Sequence, residues 1–316
     1  MHECLLAQNT SNKLDLTNKQ LLSIPAAVFS LNNLEEIWLD SNFIKELPSE
    51  IACLSHLKKL SIYKNHLQTL PDSLYYMEHL EQLNISVNLL TYLPEIIEGL
   101  TGLKVLDMNH NQVAFLPQAI GTLKNLEFLY LAGNDLKTLP SSFVNLKNLI
   151  YLNITHNHFT SLPECIQGMT HLLELRIYNN HLTSLPFLIS DLSNLKELHA
   201  LNNKITQLPQ SLGELRNLRK LILENNQLEI LPSSIGQLEN LTDLNLRTNC
   251  LKEIPKTIGD MKSLRFLDLR DNRLISLPES MQNLQHLEKL DVRLNKELVT
   301  PKWFKELEQQ GCTIFY

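Results

Sequence analysis

Three histidines near the middle of the chain are the first candidates for chemistry. His158 and His181 lie 23 residues apart, and His156 is close to them in sequence. Imidazole nitrogens bind zinc, so two histidines at equivalent places could share a metal ion. No carboxylate or cysteine joins them at the spacing of a zinc site. We therefore interpret them as surface histidines and expect neither a metal site nor a cofactor.

The cysteines are the next candidates, as nucleophiles or redox groups. Five are spread along the chain without a CxxC pair: Cys4, Cys53, Cys165, Cys250 and Cys312. None has an evident histidine and aspartate partner set for nucleophilic catalysis, and no glycine-rich phosphate loop is present. The spacing therefore predicts free, mostly buried thiols in a reducing compartment, and no catalytic site.

A row of three arginines could bind phosphate or an acidic peptide. Arg247, Arg270 and Arg293 recur at a step of 23 residues. Unpaired guanidinium groups are typical of such recognition. Aspartates lie two or four residues before them, one or two outward-facing columns away: Asp243, Asp268 and Asp291. We expect cross-strand salt bridges between the two sets. The net charge is −6, and the sequence contains no basic patch. Both observations argue against a nucleic-acid partner.

The elements that must position these side chains follow one fixed period. All 13 prolines, from Pro25 to Pro301, recur every 23 residues, and asparagines from Asn42 to Asn295 recur at the same step. A period of this size predicts a stacked solenoid. Because a solenoid grows by adding neighbours, we expect one structural domain. It would comprise an N-terminal cap at 1–12, thirteen 23-residue repeats at 13–301 and a C-terminal cap at 302–316.

Residues 129–151 show how one repeat is expected to fold. Apolar residues alternate over 129–132, as in a short strand, and recur every third residue over 143–149, as in a helical or 3-10 segment. Asn134 follows the strand, where its amide can donate and accept hydrogen bonds for the turns of adjacent coils. Pro140 lies outside the strand, so its missing N–H breaks no ladder bond. The pattern predicts a parallel sheet on one side of each coil.

The last fifteen residues depart from the repeat. The segment after Pro301 places Trp303, Phe304 and Leu307 on one face of a predicted helix, with Gly311 as its stop. Residues 312–316 could then add a last short strand.

The consensus LxLxxNxLxxLPxxIxxLxxL over residues 13–301 resembles the leucine-rich repeats of the 23-residue, LP-containing type. Such repeats occur in Ras-suppressor and Scribble-type proteins, plant intracellular Ras-group proteins, and bacterial proteins including those of Legionella and Leptospira. The resemblance implies an α/β solenoid: a horseshoe with a parallel concave β-sheet and short helical or 3-10 convex segments. It also implies a non-enzymatic protein-interaction module, either a bacterial effector acting in a host cell or a cytosolic signalling adaptor of Ras-suppressor type. An enzyme with an unrecognised site is the remaining alternative.

In this fold the outward-facing strand residues line the concave surface, with equivalent residues of adjacent coils about 5 Å apart. An exposed patch of aromatic and aliphatic residues with polar handles is predicted in the middle: Phe128, Tyr130, Tyr151, Arg176, Tyr178, His199, Leu201 and Ile222. Such a patch marks an interaction site, although aromatic residues also favour strands for packing alone. We predict that it binds a partner protein. Secondary candidates are Trp38, Tyr63, Arg247, Arg270 and Arg293.

The first residues, MHECLLAQNTSN, lack the basic start and apolar run of a secretion signal, and no apolar stretch approaches the roughly 18 residues of a membrane span. We expect a monomer without membrane insertion. It would be cytoplasmic, or exported into a host cell without a cleaved signal peptide.

Overall fold

The computed structural model describes residues 12–316. The predicted N-terminal cap at 1–12 and Cys4 therefore lie outside the described residues, apart from Asn12. The chain divides into two compact units, one ending at Asn157 and the other spanning His158–Tyr316. The predicted count of one structural domain stays a prediction.

The first unit is a parallel sheet of seven three-residue strands joined by 3-10 segments. The strands are β1 Lys13–Asp15, β2 Glu36–Trp38, β3 Lys59–Ser61, β4 Gln82–Asn84, β5 Val105–Asp107, β6 Phe128–Tyr130 and β7 Tyr151–Asn153. The 3-10 segments are η1 Ala26–Ser30, η2 Ser49–Cys53, η3 Asp72–Tyr76, η4 Glu95–Gly99, η5 Gln118–Thr122 and η6 Ser141–Asn145. Each strand residue pairs with the residue one repeat later, as Leu106 does with Leu129.

The second unit repeats this arrangement and adds an α-helix. Its strands are β8 Glu174–Arg176, β9 Glu197–His199, β10 Lys220–Ile222, β11 Asp243–Asn245, β12 Phe266–Asp268, β13 Lys289–Asp291 and β14 Thr313–Phe315. The 3-10 segments are η7 Glu164–Gly168, η8 Phe187–Asp191, η9 Gln210–Glu214, η10 Ser233–Gln237, η11 Lys256–Asp260 and η12 Glu279–Asn283, and the helix α1 is Phe304–Gln309. The predicted parallel sheet with short 3-10 segments is confirmed in both units.

Alternation along each strand separates the core from the solvent. The middle residue of a strand points into the coil, so Leu106, Leu129 and Leu152 are 0% exposed. The flanking residues point the other way and form the open side of the sheet. Burying each leucine contributes about 1.5–3 kcal/mol, and the same column of leucines fixes the register of every strand.

The recurring asparagines bind adjacent coils together, as predicted. Asn134 Nδ2 donates to the carbonyl oxygens of Leu131 (3.1 Å) and Met108 (3.0 Å), the latter in the preceding coil. Its Oδ1 accepts the N–H of Val113, also in the preceding coil, at 3.1 Å. One buried side chain thereby satisfies backbone groups of two turns, and each would cost about 1–3 kcal/mol if left unpaired.

The prolines mark the start of the 3-10 segments. Pro140 has φ −64°, and its carbonyl oxygen accepts the N–H of Phe143 at 3.1 Å, which closes the first 3-10 turn of η6. Because the pyrrolidine ring fixes φ near this value, the return segment begins at the same place in each coil.

The helix and last strand predicted for the C-terminal segment are confirmed. Trp303, Phe304 and Leu307 are buried, Gly311 has φ +98° after the helix, and β14 pairs in parallel with β13. That this segment acts as a cap stays a prediction. Within residues 12–316 no helix is long and apolar enough to cross a membrane.

The prediction that the thiols are mostly buried is wrong for two of the four described cysteines. Cys165 and Cys312 are buried, whereas Cys53 is exposed and Cys250 is half-buried. All four are free thiols. Burial raises the pKa of the Cys165 and Cys312 thiols to about 11, which makes both poor nucleophiles.

Candidate functional site

The outward side chains of the strands form two surfaces, which we call the first sheet face (β1–β7) and the second sheet face (β8–β14). In each coil they comprise the two residues that flank the buried middle residue and the residue two positions after the strand. All predicted partner-binding residues belong to these faces. The eight residues of the predicted central patch are each half-buried, so they are less exposed than the sequence led us to expect. Neighbouring side chains pack against one another and cover part of each ring.

Three aromatic rings of the first sheet face form one cluster, which we call the aromatic cluster: Phe128, Tyr130 and Tyr151. The ring centroids of Tyr130 and Tyr151 lie 4.8 Å apart at an interplanar angle of 37°, and those of Phe128 and Tyr151 lie 6.5 Å apart. Phe128 and Tyr151 are direct partners across β6 and β7. Such pairs contribute about 0.5–1.5 kcal/mol beyond burial, so the rings are held in place before any partner arrives.

A groove of about 450 Å³ runs over the first sheet face from Trp38 to Tyr130. Amide and hydroxyl side chains line its middle, among them Asn84 and Ser61, and Asp107 lies beside Tyr130. Tyr63, a secondary candidate, is 38% exposed one coil from Trp38. The groove therefore has aromatic ends and a polar floor, a combination typical of binding sites.

The second sheet face carries charges that pair among themselves. Arg176 Nε lies 2.5 Å from Glu174 Oε1, and His199 Nε2 lies 2.9 Å from Glu197 Oε2. In both cases the partners stand two residues apart, which places them on the same side of one strand. Three further predicted residues of this face are half-buried: Tyr178, Leu201 and Ile222.

Two carboxylates and an imidazole of the second sheet face could serve as metal ligands. The ligand atoms of Glu174, Glu197 and His199 all lie within 4.8 Å of one another. Arg176 and Lys220 form ion pairs with the same carboxylates, so a metal ion would have to displace them. Burial raises the pKa of Glu197, but the His199 hydrogen bond and the Lys220 charge outweigh it and leave the pKa low. Sequence reasoning missed both glutamates, although they stand one repeat apart.

The row of arginines is paired, as predicted, but not with all the expected partners. Arg270 Nε lies 2.9 Å from Asp268 Oδ1 and 3.5 Å from Asp291 Oδ2. Arg293 Nη2 lies 2.6 Å from the same Asp291 oxygen. Arg247 pairs instead with Glu224, at 3.5 Å, because strand alternation puts both at the third outward position of adjacent coils. Its expected pairing with an aspartate is wrong.

The Asp291 carboxylate is 1% exposed and is paired with two arginines. Burial acts to raise its pKa, but hydrogen bonds from the Arg293 side chain and backbone, together with the charge of Arg270, hold the pKa below its usual range. Arg270 and Arg293 are thus bound to this carboxylate, which leaves them less able to bind phosphate.

The histidines that first suggested a metal lie away from both sheet faces. His158 and His181 are exposed, and their rings stack with centroids 6.0 Å apart. His156 is also exposed. Two exposed aromatic residues beside the first sheet face were missed: Tyr92 is 55% and Phe115 71% exposed. Both stand two residues before a proline in successive repeats, which is the signal that could have found them.

Three family models match parts of the chain. A leucine-rich repeat region model matches residues 91–206, a second leucine-rich repeat model matches 33–90, 55–113 and 229–274, and a third matches 217–238. No curated protein matches the chain in sequence.

Solved structures decide the family. A leucine-rich-repeat protein of Leptospira interrogans is 34% identical with a TM-score of 0.89, over 94% of this chain and 76% of that one. This chain is a leucine-rich-repeat protein. An internalin of Listeria monocytogenes has the same fold at 21% identity and a TM-score of 0.85. The match covers 98% of this chain and 88% of the internalin chain. The finer assignment to the 23-residue, LP-containing type, and the resemblance to Legionella proteins, stay predictions.

A plant receptor is also similar. The ectodomain of the Arabidopsis thaliana receptor kinase GASSHO1/SCHENGEN3, solved in complex with Casparian strip integrity factor 2, is 30% identical with a TM-score of 0.67. The match covers 89% of this chain but 37% of the receptor chain. The leucine-rich-repeat fold supports protein–protein interaction, and the family is generally a non-enzymatic binding scaffold.

Proposed function

We propose that this leucine-rich-repeat protein is a non-enzymatic recognition module that binds a partner protein on its open sheet faces, which we expect to be concave. The observation that carries the proposal is the aromatic cluster of Phe128, Tyr130 and Tyr151. Its rings are packed against one another and half-buried. Rings fixed in this way lose little conformational freedom on binding, which is why tyrosine is enriched among residues that dominate binding energy.

The groove beside the cluster supports the same proposal, since it provides a polar floor next to an apolar anchor. Trp38 and Tyr63 would extend the contact along the first sheet face. On the second sheet face we propose Arg176, Tyr178 and His199 as further contacts. Also proposed there are Leu201, Ile222, Arg247, Arg270 and Arg293.

The test is capture of partners from host-cell lysate, identified by mass spectrometry. Replacing Tyr130 and Tyr151 with alanine should remove a defined set of captured proteins while the melting temperature falls only slightly. The matched control replaces Tyr92 and Phe115, which are aromatic and more exposed but lie off the sheet face. A partner set that survives in the cluster variant, or that is lost equally in the control, would contradict the proposal.

One further variant tests for a contact on the second sheet face. Replacing Tyr178 with alanine should weaken capture of the same proteins if that face contributes. Unchanged capture would restrict the proposed surface to the aromatic cluster and its groove.

For the cellular context we propose a bacterial protein that acts inside a host cell. The similarity to the Leptospira protein supports a bacterial context. The alternative is a cytosolic signalling adaptor of Ras-suppressor type. Transfer of a reporter fusion into host cells would support the first, and the absence of transfer by any secretion system would favour the second. We also propose a monomer without a nucleic-acid partner, which light scattering and a DNA- and RNA-binding assay would check.

A further inference from the structure

Asp107 occupies a repeat position where the side chain accepts a backbone hydrogen bond that does not require a charge. The side-chain Oδ1 at this position accepts the backbone N–H two residues later. Asp107 accepts from Asn109 at 3.0 Å, while Asn84 and Asn153 accept from Ser86 and Thr155 at 3.0 and 3.1 Å. Because asparagine makes the same turn in neighbouring coils, the fold gains nothing from a carboxylate at 107.

The charge of Asp107 is moreover poorly compensated. Burial raises the pKa of its carboxyl. The Asn109 N–H, the field of His110 and the Ser86 hydroxyl act in the other direction but do not offset burial. The nearby Ser86 hydroxyl donates its one proton to Asn84 Oδ1, at 2.6 Å. None of the ion pairs formed by residues 12–316 includes Asp107.

Equivalent aspartates of the second unit are treated differently. Asp268 and Asp291 stand at the same repeat position and are paired with Arg270 and Arg293, two residues on. The residue two positions after Asp107 is Asn109, which brings no charge. The second sheet face therefore supplies arginines to Asp268 and Asp291, whereas the repeat of Asp107 supplies no cation at the equivalent position.

The surroundings of Asp107 specify what could supply that cation. It lines the groove of about 450 Å³, and its direct partner across β5 and β6 is Tyr130. Lys59, the other charged residue of the groove, is paired with Glu36 at 3.5 Å. A planar cation between the carboxylate and the tyrosine ring would gain a charge-assisted hydrogen bond and a cation–π contact together.

We propose that the groove of the first sheet face binds an arginine side chain in an extended segment of the partner protein. The guanidinium would bind the Asp107 carboxylate and lie over the Tyr130 ring, while the amides of Gln82 and Asn84 bind the peptide backbone. Arginine fits better than lysine because its planar fork can donate two hydrogen bonds to one carboxylate and stack on a ring. This inference rests on the proposed function, of which it names the partner's chemistry.

The experiment selects short random peptides from a display library on the immobilised full chain. Selected peptides are expected to share an arginine at one position. A synthetic copy with citrulline, which keeps the shape of arginine but not its charge, should bind about tenfold more weakly or worse. Asp107→Asn should lower the affinity by a similar factor and make the two peptides bind alike.

Asp15→Asn is the matched control, since Asp15 makes the same turn, to the N–H of Thr17 at 2.8 Å, outside the groove. It should leave the affinity within about twofold. Selected peptides without a shared arginine, or equal binding to wild type and Asp107→Asn, would overturn the inference. If these peptides still lost binding to the Tyr130→Ala, Tyr151→Ala variant, the proposed function would stand. A library that yields no peptide above background would count against both.

Discussion

The two sheet faces use the same repeat position in opposite ways. Asp107 on the first face and Asp291 on the second both accept the N–H two residues later. Burial raises the pKa of Asp107, whereas two arginines hold that of Asp291 below its usual range. A cation from a partner would therefore favour the ionised form of Asp107, whereas Asp291 already has two arginines of the molecule beside it.

The same backbone repeat can therefore carry a carboxylate that is paired with arginines of the molecule, as at Asp291, or one that has no such cation, as at Asp107. On the second face, ion pairs link residues within one strand and between neighbours, so charges there mainly stabilise the sheet. On the first face, the middle strands carry rings, amides and one carboxylate without a cation. Candidate binding groups are better sought where a repeat leaves a charge without an opposite charge than where it places many charges that pair with one another.

The largest expected effect is that of Asp291→Asn on stability. The substitution leaves Arg270 and Arg293 without their shared anion, and we expect the free energy of unfolding at pH 7 to fall by about 1–3 kcal/mol. Denaturant unfolding of the two proteins would measure it. An unchanged stability would show that this face gains nothing from its buried carboxylate.

The pH dependence of this stability difference tests independently whether the pKa of Asp291 is lowered. Because the folded-state pKa of Asp291 is lowered, its contribution is fully present above the unfolded value near 3.8 and is lost as pH falls through the folded one. The gap between wild type and Asp291→Asn should therefore close in acid. A gap that widens below pH 3.8 would contradict this assignment.

Tyr151→Ala should have the next largest effect, on the first face. It removes both ring contacts of the aromatic cluster, so we expect a loss of stability of about 1 kcal/mol. Unlike the loss in Asp291→Asn, the loss of these two ring contacts should persist in acid, since neither Phe128 nor Tyr130 carries a charge there. Phe115→Ala, at a ring that is 71% exposed, is the control and should change stability much less.

Much of the fold followed from sequence, and less of the site did. The regular prolines and asparagines predicted the strands, the 3-10 segments and which residues face outward, because one register repeats without insertion. Side-chain partners were harder. Arg247 pairs with Glu224 rather than an aspartate because both stand at the third outward position of adjacent coils, a relation that the expected pairing with aspartates did not take into account. The isolation of Asp107 could have been noticed from Asn109, two residues on, where the second unit has arginines.

Asp107→Asn should have a smaller effect, in the opposite direction. Since burial raises the folded-state pKa of Asp107, ionisation lowers stability progressively as pH rises from the unfolded value near 3.8 through the folded one. Asparagine keeps the bond to Asn109 without that penalty. At pH 7 the variant should be as stable as wild type or more so, by no more than about 1 kcal/mol. The advantage should vanish below the unfolded-state pKa near 3.8. A clear destabilisation at pH 7 would mean that a cation already serves Asp107.

The smallest expected effect concerns an exposed ion pair of the first unit. Lys104 Nζ lies 3.0 Å from Glu81 Oε2, with side chains 46% and 38% exposed. Solvent screens such a pair and the long side chains lose entropy in forming it, so Lys104→Ala should cost less than about 0.5 kcal/mol. Unfolding in high salt should give the same small difference. A loss as large as that of Asp291→Asn would show that an exposed ion pair of the first unit stabilises the protein as much as the buried carboxylate of the second sheet face, and would contradict the contrast between the two.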